Sequence, residues 1–240
     1  MRFVPIKTVE RQAILAVHRA RQGFVKARTA QANQIRGLLA EYGIVIPQGI
    51  THIPRRLPEI LEDGANDLPP VFRALLVRLS DHLKALDQQA QALEGQIQAW
   101  HRQNDASRRL AQIPGIGPIT ARALVASVGD ASSFQNSRQL AAFLGLVPRQ
   151  HSSGGKPTLL GISKRGDVYL RTLLIHGARA VVRGAQHKTD PEAWLGRLLG
   201  RRPRNVATVA LAHKNARTVW ALLARGQDYR ADYRSAQADA

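Results

Sequence analysis

The chain has 240 residues, 44% of them hydrophobic, enough to bury a core as one large domain or two modest ones. Its 35 Lys and Arg against 17 Asp and Glu give a formal charge of +18, a self-repelling surplus that points to a polyanionic partner, with nucleic acid the leading candidate. The lack of cysteine excludes disulfides, thiolate zinc sites and cysteine nucleophiles; with no signal peptide and no apolar run near the roughly 20 residues that span a bilayer, the expectation is a cytoplasmic protein without a membrane partner.

From Thr8 to Tyr42, Ile14, Leu15, Val17, Phe24, Val25, Ile35, Leu38 and Leu39 recur mostly at three- and four-residue spacings, which predicts one long amphipathic helix with Thr8 as N-cap and Gly43 as stop. Five prolines and three glycines between residues 43 and 70 predict a connecting loop with one short turn at most. A second long helix is predicted from about Val71 to Gln103, where Val71, Leu75, Leu76, Leu79, Leu83, Leu86 and Ile97 keep close to a heptad stripe. Two such helices fold back as an antiparallel, coiled-coil-like hairpin, packed either within the chain or on a second copy, so a homo-oligomer through the hairpin is expected.

Composition changes near residue 108. Cut after Leu110, the chain carries 16 basic and 10 acidic residues before the cut and 19 and 7 after it, or net charges of +6 and +12. The second half is therefore where nucleic acid should be gripped. It opens with "LAQIPGIGPITARALVASVGD", residues 110–130, a helix-hairpin-helix-like pattern. Gly115 and Gly117 permit its tight turn, and backbone N–H groups at the start of the next helix can face a phosphate. A plain packing corner is the other reading. The helix that follows puts Phe134, Leu140, Phe143, Leu144 and Leu146 on an apolar face, so its aromatic residues read as core.

Residues 149–171, "RQHSSGGKPTLLGISKRGDVYLR", place Ser152, Ser153, Gly154 and Gly155 just after a helix stop. The glycines let a ligand approach backbone and hydroxyl closely, with His151 adjacent and Arg149, Lys156, Lys164, Arg165 and Arg171 available to stabilise a phosphate. The residues leave two readings open, a flexible phosphate-binding loop and a nucleophilic serine. Asp167 stands where a helix N-cap is favoured. Further on, Arg197, Arg201, Arg202 and Arg204 form a basic turn before the last helix, on which His213 and Lys214 either face nucleic acid or a solvated surface. Carboxylates are scattered, with no acidic or His-rich cluster, so no metal site is expected in this chain.

With "IPGIGPITARAL", "QLAAFLGLVPRQHSSGGK" and "ISKRGDVYLRTLL" in that order, and an N-terminal "RFVPIKT" and "RQGFVKARTAQANQIRGLLAEYG", most of the chain resembles the transposases of insertion-sequence family one hundred and ten, which are guided by a bridge RNA. The resemblance implies a nucleophilic serine, mapped to Ser153 with Ser152 as the alternative, that attacks DNA and forms a phosphoserine link. It also implies DNA and guide (bridge) RNA as partners. The family's resolvase-like nuclease domain, with an Asp-Glu-Asp-Asp magnesium site, has no counterpart here, so magnesium is expected on that domain and this chain alone is expected to be inactive. The rival expectation is a non-catalytic nucleic-acid-binding remnant, or a regulator that dimerises with a full-length transposase.

The expected architecture is all-α: a helical hairpin over residues 1–106, then a compact transposase domain over residues 107–240. The residues expected on nucleic acid are Gly115, Gly117, Arg149, Lys156, Lys164, Arg165, Arg171, Arg201 and Arg202.

Overall fold

The computed structural model describes residues 6–153, 156–185 and 193–230; within the strands, the side chains of residues 152, 153, 156 and 157 fall outside that description. Helices dominate: α1 Val9–Ala40, α2 His52–Glu62, α3 Pro70–Arg102, α4 Asp105–Leu110, α5 Pro118–Val128, α6 Ser137–Phe143, α7 Val168–Ala185, α8 Trp194–Arg201 and α9 Arg204–Arg225. To this mostly-α fold the described residues add one small antiparallel sheet, β1 Pro148–Ser153 and β2 Lys156–Ile162. Among the described residues no helix is long and apolar enough to cross a membrane. The chain divides into two compact units, one of Leu15–Gln96 and one of Met1–Ile14 with Ile97–Ala240.

In the Leu15–Gln96 unit, α1 and α3 pair through Arg21 to Glu94 at 2.8 Å and Arg28 to Asp87, while Gln31 Oε1 meets His82 Nδ1 at 2.9 Å. Partners that descend along α3 as they ascend along α1 define an antiparallel pair. Ala32, Ile35, Leu39, Leu76 and Leu83 fill the seam. Gly43, at φ +74°, ends the first helix in the left-handed conformation that glycine adopts without penalty, and its N–H reaches Ala40 O at 3.0 Å.

The proline-rich connector holds more structure than one short turn. It contains the eleven-residue α2, whose Ile53, Leu57 and Ile60 recur every three to four residues and are buried in the same core. Pro54 lies in the first turn, where an amide N–H would find no helical partner; only Pro58 removes an interior hydrogen bond. Arg73 then ties down the return to α3 by donating to the carbonyls of Leu61 at 2.7 Å, Asp63 at 2.9 Å and Leu68 at 3.1 Å.

In the second unit, Thr8 caps α1 by accepting from the Arg11 amide at 3.3 Å. Asn104 and Asn136 do the same for α4 and α6. The core is built on α7 and α9, where Leu170, Leu174, Ala178 and Val182 face Leu211, Ala212, Ala216 and Val219. Each buried leucine contributes about 2 kcal/mol relative to exposure. Trp220 anchors the segment before α6 by donating its indole N–H to Ala131 O at 3.1 Å and Phe134 O at 3.2 Å.

Candidate functional site

The segment expected as a flexible loop forms a hairpin. Its backbone pairs Gln150 with Leu159, His151 with Thr158, Ser152 with Pro157 and Ser153 with Lys156; between Pro148 and Gln150 the register shifts, setting Leu160 and Gly161 against Arg149 alone. The pairing runs on past the strands, because Ser163 N donates to Val147 O at 2.8 Å and Lys164 N to Gly145 O at 3.1 Å. Arg149, His151, Lys164 and Arg165 are all exposed. The side chains of Ser152, Ser153 and Lys156 lie outside the described residues, as do Gly154 and Gly155 entirely, so what is fixed for Ser153 is its backbone place, the last pair of β1.

The base of the hairpin is locked by a close crossing. A Cβ on Gly145 (φ +68°) would lie 1.9 Å from Arg165 O, and one on Gly166 (φ +91°) would lie 1.8 Å from Phe143 O. No side chain fits at either position. Between the two glycines, Lys164 is held at φ +56°, the one positive φ of a residue other than glycine among the described residues, a conformation that costs on the order of 1 kcal/mol and persists only where its surroundings impose it.

Arg171 departs from the expected phosphate contact. It is 8% exposed, and its guanidinium Nη1 donates to Leu144 O at 3.1 Å and Arg165 O at 3.2 Å. Buried beneath the crossing, it holds the end of α6 against the loop that enters α7, so it shapes the hairpin base rather than meeting a ligand. Asp167 caps α7 as anticipated, accepting from the Leu170 amide at 3.0 Å.

The "IPGIGP" corner joins α4 to α5. Ile116 N bonds Ile113 O at 2.9 Å, Gly115 takes φ +89° against α7, and Asn215 of α9 donates to Pro114 O at 2.9 Å. Gly115 is half-buried and serves the packing of the corner; Gly117 is exposed and is the N-cap of α5, with Pro118 in the first turn. Arg122, on the same helix, is buried: its Nε has no partner, Glu10 Oε1 approaches its Nη2 only to 3.9 Å, and burial lowers its pKa despite Glu10.

Acids are scarce in this unit. From residue 111 to residue 189 the sequence holds only Asp130 and Asp167, and both are turned to local caps, Asp130 accepting from the Ser132 amide at 2.9 Å. Among the described residues, no ion pair joins Arg149, Lys164 or Arg165 to either carboxylate.

Residues 107–191 match the family described as Transposase IS116/IS110/IS902 family. The chain is 51% identical to a "Probable family 20 transposase" of Pseudomonas aeruginosa over 96% of its own length and 69% of that protein's. It is 50% identical to the "Transposase for insertion sequence element IS1111A" of Coxiella burnetii, over 96% and 64% of the two lengths, and 40% identical to the "Transposase for insertion sequence element IS1328" of Yersinia enterocolitica, over 94% and 67%. The chain belongs to the IS116/IS110/IS902 transposase family. It spans about two thirds of the length of these curated relatives.

The part of the chain that matches the family begins two residues into α4 and runs through the corner, the hairpin and α7. Arg201 and Arg202 stand apart from the hairpin in sequence: with Leu198 they line a shallow cleft at the end of α8, so the expected basic turn is largely helical. One contact of this region escaped the sequence reading. Lys214 Nζ sits 4.5 Å from the ring centre of Trp194, a cation–π pair between α9 and α8, and burial lowers the lysine's pKa. The sequence offers only Trp194 ahead of a basic turn and Lys214 on the last helix, which does not specify a pair. Among the described residues no three His, Asp or Glu side chains converge to hold a metal ion.

Proposed function

We propose that the chain supplies the strand-joining part of an insertion-sequence transposase: it binds DNA and a guide RNA and offers Ser153 as the nucleophile for strand cleavage and exchange. The observation that carries this reading is the hairpin itself. Ser153 occupies the last paired position of a strand whose neighbours Arg149 and His151 are exposed, on a base clamped by Gly145, Gly166 and Arg171, in a stretch whose two carboxylates are both used as caps.

In the proposed step the Ser153 oxygen bonds to a backbone phosphorus as the bond from that phosphorus to one sugar oxygen breaks. The serine proton passes to a base, for which His151, two residues earlier on the strand, is the nearest titratable candidate in sequence, and the departing sugar hydroxyl takes up a proton. Attack by another strand's hydroxyl on the phosphoserine reverses the bonding and restores the serine. Arg149, Lys164 and Arg165 offset the charge gathering on the phosphate oxygens. Gly117 at the N-terminus of α5, and Arg201 and Arg202, add further contacts to DNA or guide RNA, and Lys156 joins the hairpin set. Magnesium, which the resemblance assigns to the nuclease domain, has no ligand set among the described residues, and no step here runs through it. The exposed Val71 and Leu75 of α3 suit association with a second copy.

The test is complementation. The chain is mixed with guide RNA, the ends of its insertion sequence and a family transposase whose own nucleophilic serine is replaced by alanine; intact-mass and peptide spectra then look for DNA bonded to this chain. An adduct at Ser153 that vanishes in Ser153→Ala supports the reading. DNA binding equal in both proteins, with no adduct in either, leaves a non-catalytic binding module.

A further inference from the structure

Helix α7 has eighteen residues and no carboxylate. Its Leu170, Leu174, Ala178 and Val182 are buried in the core, which commits the opposite face to solvent. Val168, Thr172, His176, Arg179 and Arg183 are exposed there, and at ~3.6 residues per turn these positions fall within about a quarter of the helix circumference. Ala180 and Gly184, also exposed, add no bulk beside the two arginines. Among the described residues neither Arg179 nor Arg183 has a carboxylate partner, whereas Arg21, Arg28, Arg56 and Arg108 each do.

We infer that this stripe is a second nucleic-acid contact, in which α7 lies along one sugar-phosphate backbone and grips it through Arg179 and Arg183, with His176 and Thr172 continuing the line toward Arg165. The inference rests on the nucleic-acid reading above but uses helix residues outside the hairpin. From Thr172 to Arg183 the helix rises about 16 Å, enough to track about five nucleotide steps of one strand. Like charges at i and i+4 repel in the free protein, and that repulsion turns to attraction when phosphates lie opposite. A protein partner fits less well, because the stripe holds a single large apolar side chain, Val168, at its end, and so has no apolar centre of the kind protein interfaces bury. The contact reads no base and carries no sequence preference.

The test is the salt dependence of binding to a short DNA duplex of arbitrary sequence. In the wild-type chain the logarithm of the binding constant falls linearly with the logarithm of salt concentration. Arg179→Ala with Arg183→Ala should flatten that slope by about 1.8, two phosphates at about 0.9 each, while Lys at both positions should restore it. Arg56→Ala with Arg108→Ala removes the same charge from two carboxylate-paired sites and should leave the slope unchanged. Equal flattening in both double variants would reduce the effect to overall charge and overturn the inference; so would an unchanged slope in the α7 variant, the outcome if α7 served an acidic protein instead. Absence of duplex binding by the wild-type chain would remove the nucleic-acid reading itself, and this contact with it.

Discussion

Gly115 and Gly177 meet backbone to backbone. A Cβ on Gly177 would lie 1.8 Å from Gly115 O, and one on Gly115 would lie 2.9 Å from the Gly177 carbonyl. The corner between α4 and α5 thus meets α7 backbone to backbone at these two glycines, with the Val181 side chain beside them. Gly177→Ala must push the two apart, which should cost about 3 kcal/mol and lower the melting temperature by about 6–12 °C. Gly23, inside α1, has nothing within 4 Å of where a Cβ would stand. There the same substitution should gain up to about 1 kcal/mol, so thermal melts of the two variants should move in opposite directions.

Replacing Arg171 should loosen the hairpin without removing a ligand contact. Arg171→Ala leaves the Leu144 and Arg165 carbonyls without their buried donor, at a cost of about 2–3 kcal/mol. Lysine lacks the forked guanidinium and should recover little. Hydrogen exchange gives the local readout, since the Ser163 and Lys164 amides, bonded to Val147 O and Gly145 O, should lose protection before the α7–α9 core does.

Two histidines should make the fold sensitive to mild acid. Burial is the main cause that lowers the pKa of both His101 and His213, aided by Arg102, Arg108 and Arg122 around the first and Arg217 beside the second. As pH drops through the ordinary histidine value of about 6.5, the unfolded chain takes up protons before the folded one, so stability falls until the lowered native values are passed. Chemical denaturation across that window should show the decline, and His101→Gln with His213→Gln should flatten it.

The long helices were legible because their apolar spacing, Thr8 and Gly43 are all local signals. α2 was not, because prolines at positions 54 and 58 dominate the reading of a segment whose Ile53, Leu57 and Ile60 nevertheless keep helical spacing. The hairpin was hidden for the opposite reason. Exposed Arg149, Gln150, His151, Thr158 and Leu159 show no alternation between an apolar and a polar face, and backbone pairing alone defines the strands. Arg171 looked like its neighbours Lys164 and Arg165, since sequence gives charge but not depth. Gly177 lay unremarked in a helix pattern, as its need arises only from Gly115 some sixty residues away.

Asp130 and Asp167 spend their charge on the amides of their own turns. The stretch they punctuate carries far more positive than negative charge, and its stability in isolation should rise with added salt as mutual repulsion among its arginines is screened. A polyanion bound there would do the same more strongly, so binding would raise the stability of this unit by mass action.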